Sequence, residues 1–359
     1  MKKLILVSFL FVHLSAVHAQ EQDTSSSSKI KAFPLPVVFF TPETDFGFGG
    51  MSLFTFRFKG ETPESRNSQF QLGAAYTTMD QFLFFAPFQM YLKDEKYYAF
   101  GRINYFSYSY RYYGNGTDSR DEDEEFYDAQ FPRVRINLMK LIRPAWYLGF
   151  RYWMDNYDVT KTKEGGILDR QLVRGAEGGL ISSFGLVSLY DTRDNYNYPK
   201  KGTYLEVLAL PNLKAYGSDF DFTRFSVDYV KFMSWEENIL AVNLFAVAMT
   251  GKVPFNELAF IGGSSKMRGY LEGRFRDENL LMVQAEYRRF LAWRIGMAAF
   301  TGFGMVANSI DAFEPGDIKP SGGLGLRYSL DQEEKINIRL DVAFGEESSG
   351  IYFTIGEAF

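Results

Sequence analysis

The chain contains no cysteine and only two histidines, His13 and His18. Both histidines fall in an amino-terminal stretch with the layout of a cleaved leader. The exported chain would therefore carry neither residue type. That excludes serine–histidine triads, cysteine–histidine pairs, ordinary zinc sites and disulfide staples. Beyond the leader there is no apolar run approaching the roughly 20 residues that a membrane-crossing helix needs. The glycine-dense stretch after Phe260 is not a phosphate cradle, because no Lys-Ser/Thr pair closes it and no helix pattern follows. A formal net charge of -5 gives no basis for nucleic-acid binding. The sequence thus names no catalytic residue, no cofactor and no metal site, and an enzyme is not the expectation.

What the chain has in excess is aromatic side chains, 36 Phe and 23 Tyr. Its mean hydropathy is nonetheless only -0.19. Helical membrane proteins show long greasy runs, and soluble domains of this size rarely use so many rings. A transmembrane β-barrel accommodates both observations. It alternates lipid-facing apolar residues with polar lumen residues and adds aromatic girdles at the two interfaces. The start of the chain fits export. Lys2 and Lys3 precede the apolar run Leu4 to Val12, and small residues Val17 and Ala19 mark a cleavage site. We read residues 1–19 as a signal peptide, 20–32 as a disordered polar lead-in and 33–359 as one barrel domain.

Period-2 alternation recurs along the rest. Ile336, Ile338, Leu340, Val342 and Phe344 share a face opposed by Asn337, Arg339 and Asp341. Thr223, Phe225, Val227 and Tyr229 likewise oppose Arg224, Ser226 and Asp228. A soluble sandwich would alternate in the same way, so the pattern alone does not decide between them. Segmenting the chain gives about sixteen strands, the first near 36–42 and the last near 349–359. Short connectors mostly alternate with long ones, at 114–123, 160–173, 251–277 and 307–320. Short turns face the periplasm in such barrels and long loops face outside, which places both termini on the periplasmic side. The expected fold is an all-β, antiparallel transmembrane barrel.

Four places carry a family resemblance. Asp191-Thr192-Arg193-Asp194-Asn195, followed by Pro199-Lys200-Lys201-Gly202, makes a tight polar turn through side-chain bonding and fixed dihedrals. The second place runs from Phe260 through Gly262, Gly263 and Lys266 to the tip Arg268-Gly269-Tyr270, ahead of an alternating run that ends in Glu286-Tyr287-Arg288. Gly322-Gly323-Leu324-Gly325 with Ile338-Arg339-Leu340-Asp341 is the third. The fourth is the terminus, where Ile351, Phe353, Ile355 and Phe359 are expected on one apolar face that Glu357 interrupts. Together these resemble the BamA/TamA-like superfamily of outer-membrane assembly and secretion barrels, the bacterial surface antigen barrels. Because only a short lead-in precedes the first strand, the chain is most similar to the branch without POTRA domains.

The resemblance implies that the 251–277 loop folds back into the lumen, where its arginine pairs with acidic wall residues. Register makes Glu286 the partner expected for Arg268. A second acid belongs in the next strand, where Gly302 stands instead. The lock is therefore expected to be weaker, or completed by another residue, and Gly302→Asp is expected to tighten it. Phe353, Ile355 and Phe359 would form the terminal signal read by the outer-membrane assembly machinery. Partners are then that machinery, outer-membrane lipids and a client protein or lipid. The implied function is insertion or translocation at the outer membrane through a lateral seam between first and last strands. Three prolines between Pro34 and Pro42 would weaken that seam. The alternative is a narrow channel or lipid-handling barrel without protein clients, and a carboxylate enzyme stands third. The acidic run Asp121 to Glu125 reads as a solvated loop before it reads as a calcium site. The tyrosines from Tyr105 to Tyr113 read as an interfacial girdle before a sugar platform.

Overall fold

The computed structural model describes residues 30–62, 65–332 and 335–359. The expected signal peptide and residues 20–29 of the lead-in lie outside the described residues. Strands β1 (Lys31–Thr41), β2 (Asp45–Phe56), β3 (Ser68–Thr77), β4 (Phe82–Leu92), β5 (Tyr97–Tyr112) and β6 (Glu125–Arg143) come first. They are followed by β7 (Trp146–Lys161), β8 (Gly178–Asp191), β9 (Gly202–Asn212), β10 (Phe222–Trp235) and β11 (Asn238–Gly251). Next come β12 (Ala259–Ile261), β13 (Phe275–Asp277), β14 (Asn279–Ala292) and β15 (Ile295–Ala307). The last are β16 (Lys319–Asp331), β17 (Ile336–Gly345) and β18 (Ser348–Ile355).

Sixteen of these strands close into one antiparallel barrel in which β18 returns to β1. The other two, β12 and β13, form a separate ribbon inside the long connection from β11 to β14. No described helix is long and apolar enough to cross a membrane, which says nothing against crossing by strands.

The orientation of the two faces decides between barrel and sandwich. On β17 the apolar face is the exposed one, with Leu340 40 % and Phe344 59 % accessible, while Asp341 on the other face is fully buried. The same inversion holds on β10, where Phe225 is exposed. A sandwich would hide the apolar face. A closed sheet in lipid shows it and hides the polar one in its lumen.

Aromatic pairs decorate the outer surface near the end that carries the termini. Trp146 packs on Tyr190, Trp235 on Tyr287 and Trp293 on Tyr328. The tyrosines from Tyr105 to Tyr113 do not form such a belt, contrary to the expectation. Only Tyr105 of that run faces outward. Tyr110 and Tyr112 share the opposite face and pack in the lumen with Phe131, Tyr157 and the loop residue Phe255. Their alternation matched either face, and only the packing of a plug inside the barrel selects the inner one.

Both ends of the chain also depart from expectation. β1 starts at Lys31, within the stretch read as lead-in, and is zipped to β2 along its whole length despite its prolines. β18 stops at Ile355, so Phe359 does not continue the apolar outer face. Residues 356–359 leave the wall. Glu357 meets Arg327 and Asn337, the Phe359 carbonyl accepts from Arg288, and the Phe359 ring packs against the cluster of Val230 and Phe232. The ladder would have pointed Glu357 at lipid, and the inward turn takes that charge into the lumen.

The turn between β8 and β9 forms as its sequence suggests. Asp191 accepts from the backbone and guanidinium of Arg193, and Asp194 caps the amides of Lys200 and Lys201. Pro199 is buried in this turn. Gly202 has φ 116°, and a Cβ there would lie 2.2 Å from the Thr192 carbonyl.

The exposed apolar face generates a direct prediction. Leu340→Arg, at the middle of β17, should destabilise the barrel in lipid vesicles by about 2–4 kcal/mol, read by urea unfolding. Unchanged stability would contradict a lipid-facing Leu340.

Candidate functional site

The connection from β11 to β14 leaves the rim and packs inside the barrel. Its residues Leu258, Ile261, Met267, Tyr270 and Phe275 are buried against wall residues that include Ile181, Phe222, Met249, Leu280 and Met282. The β12–β13 ribbon stiffens the loop, and the tip at Met267 to Tyr270 reaches the wall formed by β14 to β18.

At the tip, Arg268 is buried and bridges two carboxylates. Its Nη2 donates to Glu286 on β14 and its Nη1 to Asp341 on β17. The guanidinium also lies over the Phe300 ring, 3.5 Å from its centroid. Around this pair the wall adds three more arginines and one more acid. Arg288 Nε donates to Glu286 over 2.6 Å. Arg327 reaches Asp341 at 2.6 Å, Glu286 at 3.3 Å and Glu357 at 2.8 Å. Arg339 lies 3.5 Å from Asp341. The cluster thus holds four arginines and three carboxylates, a formal charge of 4 − 3 = +1. Burying this many charges is costly unless each is paired and hydrogen-bonded, so the network is fixed in geometry wherever it exists at all.

Backbone contacts seat the tip more closely. Gly269 has φ 113°, and a Cβ there would come 2.6 Å from the Phe344 backbone. Its amide donates to Tyr352 Oη and its carbonyl accepts from Ser348 Oγ, both on β18. Tyr270 Oη donates to the Pro320 carbonyl over 2.6 Å and accepts from the Glu346 amide. Further along, the Glu272 amide donates to Glu43 in the β1–β2 turn, and Arg274 binds Asp121 and Ser119. The loop therefore touches the hairpins on both sides of the β1–β18 junction.

The structure brings Arg268, Gly269, Tyr270 and Glu286 together. Gly302 plays no part as a missing acid. A Cβ there would lie 2.8 Å from Met267 Sδ, so Gly302→Asp would push the loop away instead of tightening it. Asp341 supplies the second carboxylate, from a strand further round the wall. Sequence reasoning assigned no partner role to Asp341, Arg327 or Glu357. The signal lay in the alternation, which places Asp341 on the polar face, but only the pairing of β14, β15, β16 and β17 brings that face to Glu286. The acidic run is engaged elsewhere: Asp121 meets Arg274, Asp123 meets Arg120, and Glu125 caps the amides of Ile167 and Leu168. Among the described residues no group of acids is arranged to hold a metal ion. Glu257, in the 3-10 turn of the loop, is buried, and burial pushes its carboxyl up to about 7, with Asp155 adding to the shift and Arg133, Arg135 and Arg224 opposing it.

A closed sixteen-stranded barrel with an apolar outer face and an arginine-pinned loop in its lumen defines a class of outer-membrane proteins. The Omp85 superfamily domain matches residues 58–359, and the chain belongs to that superfamily. It is an integral protein of the outer membrane. Among solved structures it is similar to BamA from Haemophilus ducreyi lacking POTRA domains 1–3, at 12 % identity and a TM-score of 0.59, covering 91 % of this chain and 70 % of that one. It is also similar to CdiB from Escherichia coli, at 11 % identity and 0.58, covering 93 % and 68 %. For CdiB from Acinetobacter baumannii the values are 12 % and 0.57, covering 91 % and 59 %. At these identities the likeness concerns the fold. No curated protein matches the chain.

Charge arithmetic predicts an asymmetry between the two halves of the lock. Arg268→Ala leaves three arginines with three carboxylates, whereas Glu286→Gln leaves four with two. Both should expose residues 262–277 to protease added from outside. Only Glu286→Gln should also cost the barrel wall on the order of 3–5 kcal/mol, as expected for an uncompensated buried charge. In the double mutant the effects on loop release should fall short of additive by about 0.5–3 kcal/mol. Strict additivity would mean that the two side chains do not hold the loop jointly.

Proposed function

We propose that the barrel helps to insert or translocate proteins or lipids at the outer membrane by parting the seam between β1 and β18, with the lumen loop as its clasp. The supporting observation is the weakness of that seam. One register pair joins the two strands, Phe40 with Phe353, while β1 and β2 are paired from Lys31 to Thr41.

Backbone geometry accounts for the difference. Phe46 directs its N–H and C=O to Thr78, on the β3 side. In an antiparallel ladder alternate residues bond to opposite neighbours. Phe40, the partner of Phe46, therefore points its backbone groups at β18, and so by period do Pro36 and Pro34. The donors that proline lacks are the ones the seam would use, and the β1–β2 ladder loses none. Extending the Phe40–Phe353 register sets Pro36 against Glu357 and Pro34 against Phe359. Those are the residues that leave the wall for the luminal arginines.

The seam is consequently closed at the loop end and unpaired toward the terminal end. The clasp sits across the closed part, through Glu43 on one side and Ser348 and Tyr352 on the other. Freeing Arg268 would release β18 along with the loop. A permanently open channel is the less economical reading, because the loop fills the lumen with a packed apolar cluster.

The absence of native cysteine makes the test clean. Phe40→Cys with Phe353→Cys places two thiols on directly paired residues, within disulfide reach. In a strain whose own copy is deleted, the oxidised double variant should reproduce the outer-membrane protein or lipid depletion of the deletion. Each single variant, and the double variant after reduction, should restore the wild-type composition. A bridged barrel that complements fully would rule out lateral opening.

A further inference from the structure

The wall opposite the lock carries an arginine pair that the loop does not use. Arg102 on β5 and Arg135 on β6 are direct cross-strand partners and both face the lumen. Like charges placed opposite one another destabilise a sheet. The rungs on either side do not have this problem. Arg133 is bidentate with Asp155, through Nε at 3.0 Å and Nη2 at 2.5 Å, and Arg151 is bidentate with Glu206 at 2.7 and 2.9 Å. Among the described residues Arg102 makes no ion pair or hydrogen bond. Arg135 has only Asp155 at 3.9 Å, on oxygens already taken by Arg133, and its buried Nε has no partner. The loop carboxylate nearest this wall, Glu257, forms no ion pair with either. A chain that matches its acids to its arginines one rung above and one rung below leaves this rung with no carboxylate of its own. Such a local violation marks a place for a missing charge.

The space in front of the pair has the shape and chemistry to supply it. A cavity of about 360 Å³ opens there, within the size range of small-molecule sites, roughly 300–1,000 Å³. Trp153 pairs with Arg135 across the strands, and the guanidinium stacks 3.3 Å from its ring centroid, which holds one wall flat. The Trp153 indole N–H is buried without a partner. Gln69, Gln71 and Gln89 line the other side, each offering a donor and an acceptor. Tyr196, from the β8–β9 turn, also lines the cavity. That turn belongs to the end with the short connectors, which is the periplasmic one in barrels of this kind.

We propose that this cavity is a periplasm-facing binding site for a small hydroxylated organic anion of the uronate or sugar-phosphate class. Its carboxylate or phosphate sits between Arg102 and Arg135, its ring packs beside Phe100 and Tyr196, and its hydroxyls meet the glutamines. The guanidinium pair supplies the charge-assisted fork that such anions require. The glutamines and the flat wall distinguish a sugar acid from a bare ion.

Calorimetric titration of the purified mature barrel in detergent tests this with four probes: glucuronate, glucose 6-phosphate, inorganic phosphate and glucose. Glucuronate or glucose 6-phosphate should bind, at least tenfold more tightly than inorganic phosphate and than neutral glucose. Arg102→Gln and Arg135→Gln should each weaken that binding by tenfold or more, and Arg102→Lys should lose less than Arg102→Gln. The glutamine variants should keep heat-modifiable migration on gels and unfold no more readily than the parent, because one of two opposed charges is gone. Absence of binding by both sugar anions at 10-millimolar order concentrations, or binding unaffected by either glutamine variant, would overturn the proposal. Inorganic phosphate binding as tightly as the sugar anions would overturn the saccharide assignment.

Discussion

The ion pairs of Arg268 are the constraint on which the seating of the lumen loop depends. A barrel of sixteen strands encloses more space than its own wall side chains fill, and polar wall residues need partners that lipid cannot supply. The chain answers both demands with one connection. The loop between β11 and β14 brings its own apolar cluster to fill the upper lumen and one arginine to complete the wall network. Without that arginine, Glu286 and Asp341 would still have Arg288, Arg327 and Arg339 at hand. The wall could therefore survive while the plug came loose. This is the arrangement expected of a part built to move: the side that stays is balanced without the side that leaves.

The same network reaches the seam. Glu357 and the carbonyl of Phe359 are bound by Arg327 and Arg288, which also hold the acids that receive Arg268. The inward turn of the tail and the seating of the loop thus draw on shared side chains. Pro34 and Pro36 act at the other edge of the junction by withholding ladder donors where the tail has left. In the proposed opening, covalent features of β1 would account for the weakness of the seam and contacts of the loop for its closure.

Much of this was legible in the residues themselves. The alternation in β17 and β10 placed each side chain on its face, and the aromatic load set against modest hydropathy pointed to lipid as the outer solvent. Arg268 and Glu286 could be paired on paper because the family resemblance folds the loop into the lumen and register puts Glu286 on the inner face of its strand. Asp341 could not, since it lies 73 residues from Arg268 and meets it only once the sheet has closed. Tyr110 and Tyr112 show a second limit. Period-2 reading assigns faces but not what covers them, and an inner face packed by a plug looks apolar, like an outer one. The terminal residues show a third: Glu357 was seen to interrupt the apolar face, but not that the tail would turn inward to take its charge out of lipid. The lack of partners for Arg102 and Arg135 was not legible, because it depends on where Asp155 and Glu206 turn.

We propose that a bridging fork at position 268, and not positive charge alone, seats the loop. Amide hydrogen exchange in the Arg268→Lys barrel tests it directly, because lysine keeps the charge but presents a single point in place of two diverging nitrogens. Exchange should be faster across residues 262–277 and across β18, with β5 to β9 unchanged. Exchange in the loop and in β18 identical to that of the parent would contradict it.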